Sequence, residues 1–117
     1  MRDRTLFDLI ESSHGIARSK GWWDDSNEEN DHEFPTQLML VVSEMAEALE
    51  EYRLGKGLNE IYFDEKGKPL GIPIELADAV IRICDVVGGR GIDLVRAINI
   101  KETYNKQRPH RHGGKVV

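Results

Sequence analysis

The chain has 117 residues, enough for one domain with a real core and too few for two of ordinary size, so a single domain over residues 1–117 is expected. With 32% charged and 39% apolar residues it is not a disordered chain, and no apolar run approaches the length of a membrane span. The net charge of -5 argues against a nucleic-acid-binding surface, and the single cysteine, Cys84, excludes an internal disulfide or a cysteine-based zinc cluster.

The charge is unevenly spread. Acids dominate residues 24–65, whereas Lys101, Lys106, Arg108, Arg111 and Lys115 face only Glu102 near the end. The opening "MRDRTLFDLIESS" lacks the long apolar run of a signal peptide, so a cytoplasmic protein without membrane contact is expected. Helical periodicity first appears over residues 5–19, with Leu6, Leu9, Ile10, Ser13 and Ala17 on one face, and stops near Gly21. The connector "WWDDSNEENDHEFP" is too acidic and Asn-rich to form an element, leaving room for no more than a short turn.

A second helix is expected from Pro35 to Arg53, with Leu38, Val41, Val42, Met45, Leu49 and Tyr52 as its core stripe. Ile61, Tyr62 and Phe63 before a Lys-Gly turn suggest a small hairpin or an ordered loop. A third helix starts at Pro73 and ends at "GGRG", with Leu76, Val80, Ile83, Cys84 and Val87 inward. A fourth is capped by Asp93, turns Leu94, Ala97, Ile98 and Tyr104 inward, and ends before Pro109, because the residue ahead of a proline disfavours helix. Residues 109–117 form a basic tail. Helices joined by short links predict an all-α, four-helix bundle.

Glu44, Glu47 and Glu51 fall within about 60° of one another on a helical wheel, nearly opposite the apolar stripe of the second helix. The third helix repeats the pattern with Glu75 and Asp78, and Arg82 and Asp85 lie on the same side. Periodicity alone describes solvated faces. However, Leu40 and Ala48 share the first acidic face, and Ile74 and Ile81 flank the second, so a further packing surface is implied. Carboxylates converging there at about 4 Å would repel by roughly 4 kcal/mol per pair at an effective dielectric near 20. Protonation or a bridging cation relieves that, and all-oxygen ligands favour Mg²⁺ or Mn²⁺. Neither acidic segment carries a histidine for a Glu-x-x-His di-iron site, and His14, His32, His110 and His112 do not form HExxH.

Taken together, "SEMAEALEEYR", "GIPIELADAVIRICD" and "IKETYNKQRPHRHGGK" resemble the MazG-like nucleotide pyrophosphohydrolases of the all-α NTP-pyrophosphatase superfamily. The likeness runs over residues 36–115, and more loosely over the first helix. Its hallmark is ExxE on one helix, here Glu44 with Glu47, and ExxD on the next, here Glu75 with Asp78. ExxE alone is unspecific; its order with "PIELADAVIR", a Lys-x-x-x-Asn helix and Arg-Pro is much more so.

The resemblance implies Mg²⁺-dependent hydrolysis of a nucleoside triphosphate to monophosphate and pyrophosphate, in a nucleotide-pool or house-cleaning role. Glu44, Glu47, Glu75 and Asp78 would hold the metal and serve catalysis, one of them taking the proton of the attacking water. Lys101 and Arg108 would hold phosphates, with Asn105 and Tyr104 on the nucleotide. His14 and one of Trp22 and Trp23 would line a base pocket. A homodimer or homotetramer is implied, because a neighbouring subunit often completes such a site. Ser43 departs from the family, where two adjacent acids often open the first motif; either one metal site is lost or Glu51 replaces the missing acid. The rival reading is a non-catalytic helical interaction domain with solvated acidic faces and a basic docking tail.

Overall fold

The computed structural model describes residues 3–23 and 33–109. Helices α1 (Leu6–Ser19), α2 (Glu33–Arg53), α3 (Ile72–Arg90) and α4 (Leu94–Gln107) carry the fold, and strands β1 (Tyr62–Phe63) and β2 (Pro69–Leu70) lie between α2 and α3. The architecture is the expected all-α one with four helices. No described helix is long and apolar enough to cross a membrane. The "HRHGGK" tail, His32 and the acidic part of the connector at 24–32 lie outside the described residues.

Local chemistry explains the boundaries. Thr5 Oγ1 accepts from the Asp8 N–H at 3.1 Å and Asp8 Oδ2 accepts from the Thr5 N–H at 3.0 Å, a reciprocal cap that starts α1. Helix α2 begins at Glu33, two residues ahead of the expected Pro35, which is still accommodated in the first turn. Helix α3 has Pro73 near its start and ends at Gly91, which takes a left-handed φ of 68° and donates its N–H to the Val87 carbonyl. Asp93 starts α4 by accepting from the Arg96 N–H at 3.1 Å. Arg108, ahead of Pro109, is extended and closes it.

The segment before α3 is the hairpin. Tyr62 pairs with Leu70 and Phe63 with Pro69 in antiparallel register. The Asp64 carboxylate accepts the Lys66 N–H at 2.8 Å and the Lys68 N–H at 3.0 Å across the turn. Those donors, Lys68 first, hold its carboxyl below the usual range. The hairpin delivers the chain to Gly71, whose φ of 127° suits only glycine and whose Cβ, if present, would fall on the Glu60 carbonyl oxygen. Gly71→Ala is therefore expected to destabilise the fold by about 2 kcal/mol or more, from backbone strain and the displaced carbonyl, as read by urea unfolding. An unchanged midpoint would mean the hairpin is not fixed to the start of α3.

Helix α3 is the hub, with α1 and α2 both packed on it. The buried apolar residues are Ala48 on α2 and Ile72, Ala79, Cys84, Val86 and Val87 on α3. Cys84 and Val87 are inside as expected. The expected stripe of α2 is not: Leu38, Val42, Met45, Leu49 and Tyr52 are 45% to 62% exposed, and Leu76, Val80 and Ile83 on α3 are 38% to 48% exposed. Where α2 packs on α3 the buried apolar side chains of the faces are small, Ala48 on α2 and Ala79 on α3 among them. Glu44, one turn before Ala48, and Glu75, one turn before Ala79, enter the packed region with them. Helix α4 has no buried residue; Ile98 and Tyr104, expected inward, are exposed.

Candidate metal centre

Glu44, Glu75 and Asp78 each bring a carboxylate oxygen within 4.8 Å of the other two. The contact of α2 with α3 creates this convergence, and the three-residue step from Glu75 to Asp78 puts both on one face of α3. Glu44 is 6% exposed and Glu75 7%, so these acids are not a solvated face. Glu44 Oε1 accepts from Arg82 Nε at 3.2 Å, whereas Glu44 Oε2 is buried without a donor. An unmatched buried carboxylate oxygen is costly and demands a proton or a cation.

Glu75 shows the same strain electrostatically. Burial pushes its carboxyl up to about 7, reinforced by the Glu47 carboxyl through hydrogen bonding and charge, and then by Asp78 and Glu44. A carboxyl held there stays partly protonated near neutrality, and a divalent cation competes with that proton for the same oxygens. The donor set is hard, anionic and all-oxygen, and it fits a small divalent ion.

Of the expected metal residues, the structure brings together Glu44, Glu75 and Asp78. Glu47 lies close enough to Glu75 to raise its pKa, but it is exposed and outside the 4.8 Å trio. Glu51 is engaged elsewhere: the Tyr62 hydroxyl lies 2.9 and 2.7 Å from its two oxygens, a bond that, with burial and the Glu51 charge, pushes the phenol up to about 12. Lys56 Nζ sits 4.2 Å from the Tyr62 ring centroid. Ser43 donates its hydroxyl to the Leu40 carbonyl at 2.7 Å and takes no part in the trio. Ser43 and Glu51 thus leave the cluster to the other acids.

Beside the cluster a cavity of about 460 Å³ opens between α1 and α3. Leu9, Ile16, Trp22 and Ile81 give it apolar walls, and Arg4, Lys20, Arg82, Asp78 and Asp85 add charged groups to its lining. Asp78 therefore belongs to both cavity and cluster. This apolar recess with cationic edges has the size and chemistry for an aromatic, anionic ligand.

Asp85 organises one side of it. Its Oδ1 accepts from Trp23 Nε1 at 2.7 Å and lies 3.0 Å from His14 Nδ1. The His14 and Trp23 rings meet edge to face with centroids 5.1 Å apart and planes at 79°. The indole lies against Gly89, where any Cβ would strike it, and His14 lies over Gly88. Arg90 stacks between Trp23 and Phe34 and donates from Nε to Gln37 Oε1 at 3.2 Å, tying the ends of three helices together. Trp23 is thus held against α3, and Trp22, 77% exposed, is the indole that lines the cavity. The sequence placed Asp85 on the acidic side of its helix but held no local sign of its pairing with His14 and Trp23.

The basic constellation of α4 is formed within its own helix. Lys101 Nζ and Arg108 Cζ lie 4.8 and 5.3 Å from the Tyr104 ring centroid. Among the described residues, no hydrogen bond or ion pair joins Lys101, Tyr104, Asn105 or Arg108 to the carboxylates. Comparison of the chain with protein-family models, with curated proteins and with solved structures finds no match.

Proposed function

We propose that the protein is a Mg²⁺-dependent nucleoside triphosphate pyrophosphohydrolase of MazG-like type, with Mn²⁺ as an alternative ion. In this reading it converts a nucleoside or deoxynucleoside triphosphate to the monophosphate and pyrophosphate in the nucleotide pool of the cytoplasm. The observation that carries it is the buried carboxylate of Glu44, whose Oε2 has no donor, in a carboxylate trio beside a cavity of nucleotide size.

Glu44, Glu75 and Asp78 would hold the ion, which when bound polarises phosphate oxygens and acidifies a water. Glu47, exposed to solvent and beside Glu75, would take the proton of that water. The cavity would receive the base, with Trp22 available to stack on it and Asp85, held by His14 and Trp23, as a fixed acceptor in its lining. The exposed apolar residues of α2 and α3 support a homodimer or homotetramer. Assembly would let Lys101, Tyr104, Asn105 and Arg108 of one copy reach phosphates held by another.

Pyrophosphate release measured across the common ribo- and deoxyribonucleoside triphosphates tests the reading. Release that needs Mg²⁺ and stops with chelator is expected for at least one substrate. No release from any of them with Mg²⁺ or Mn²⁺ would refute the proposal and return the acidic helices to a non-catalytic interaction role.

A further inference from the structure

We infer that Arg82 recognises the phosphate next to the nucleoside, the α-phosphate that departs in the monophosphate. The inference rests on the pyrophosphohydrolase reading and adds a residue and a role to it. Arg82 follows Asp78 by one helical turn, so both project from the same side of α3. Its Nε–H donates to Glu44 Oε1 at 3.2 Å, and its side chain also lines the α1–α3 cavity with Asp78. Arg82 therefore stands at the junction of cavity and carboxylate trio.

A guanidinium carries five N–H donors in a planar fork, and the bond to Glu44 uses one of them. Among the described residues the terminal nitrogens of Arg82 make no hydrogen bond, and its side chain is 41% exposed. The Glu44 side chain that orients it is 8% exposed, so the fork is anchored by a buried partner. An anchored guanidinium with free terminal donors is suited to a phosphate oxygen pair. Arg4 and Lys20 also line the cavity, but neither pairs with the trio, and Arg4 Nη1 lies 3.4 Å from Ser12 Oγ. A nucleotide with its base in the cavity and its phosphates reaching the carboxylates would bring its α-phosphate to Arg82, where cavity and trio join.

Titration calorimetry of Arg82→Gln and Arg82→Lys with Mg²⁺ present separates this role from general support of the cluster. The probes are the common deoxynucleoside monophosphates and, separately, inorganic pyrophosphate. Loss of one charge-assisted phosphate contact in Arg82→Gln is expected to weaken monophosphate binding by about tenfold or more, against less than about threefold for pyrophosphate. Arg82→Lys, which keeps the charge without the fork, is expected to fall between wild type and Arg82→Gln, and it carries the test alone if Arg82→Gln does not fold. Unchanged monophosphate affinity, or an equal loss for both probes, would overturn the role of Arg82 while leaving the pyrophosphohydrolase reading in place. A wild-type protein that binds neither probe would overturn both.

Discussion

Asp78→Ala is expected to lower Mg²⁺-dependent pyrophosphate release by about a thousandfold or more, a loss of roughly 4 kcal/mol in transition-state stabilisation. Asp78 is the member of the trio that also lines the cavity, so its removal takes one of the grouped carboxylates away from the point where the cluster borders the cavity. The fold should survive. Asp78 is half-buried, and its charge is among those that push Glu75 up, so its loss relieves repulsion as well as removing packing. The variant should therefore melt near wild type without divalent ions and gain less from Mg²⁺. Glu47→Ala is expected to share the catalytic loss but keep more of the Mg²⁺-induced stabilisation, because Glu47 lies outside the trio. A continuous pyrophosphate assay beside thermal melts reads both quantities. Wild-type release from either variant would remove that residue from the chemistry.

The helices were legible because their signals are local. Thr5, Pro73, Gly91, Asp93 and Pro109 each act within about a turn of a helix end, and the structure uses them there. The choice of buried face was not legible in the same way. Periodicity shows that α2 has an apolar stripe at Leu38, Val42, Met45 and Leu49 and an acidic side with Ala48, but not which of these meets α3. In the fold the side carrying Ala48 is the one buried, as is Ala79 on α3, and Glu44 and Glu75 are buried with them. The Glu-x-x-Glu and Glu-x-x-Asp spacings put acids three apart on each helix, and the structure groups Glu44, Glu75 and Asp78 of them. They could not show that Glu44 would join the trio while Glu47 stayed beside it, because that depends on the axial offset between helices. His14 and Asp85, 71 residues apart, meet only through the packing of α1 on α3. For α4 the sequence suggested a phosphate-binding face. The chain by itself presents that face to solvent, with Lys101 and Arg108 around Tyr104.

Without divalent ions, the melting temperature is expected to fall as pH rises from 5 to 8, and Mg²⁺ should oppose that fall. The sign follows from Glu75, whose carboxyl is raised from 4.5 to about 7 in the folded protein. The folded state then binds this proton more tightly than the unfolded chain does. Stability from Glu75 is fully present below its unfolded value near 4.5 and is lost as pH rises through about 7. Asp64 works in the opposite sense, since its lowered carboxyl costs stability only as pH falls through the acid range, outside this window. A divalent ion requires the ionised carboxylates, so its stabilisation should be small at pH 5 and on the order of 5 °C or more at pH 8. Glu75→Gln separates this share from that of every other titrating group. It carries no titratable proton, so the Glu75 part of the pH slope should vanish, and with one anionic ligand missing the Mg²⁺ response should shrink too. An equal Mg²⁺ shift at pH 5 and pH 8 in the wild type would mean that the ion binds elsewhere. The proton and the metal are then not rivals for the same buried oxygens, and the case for a metal centre between α2 and α3 falls with that rivalry.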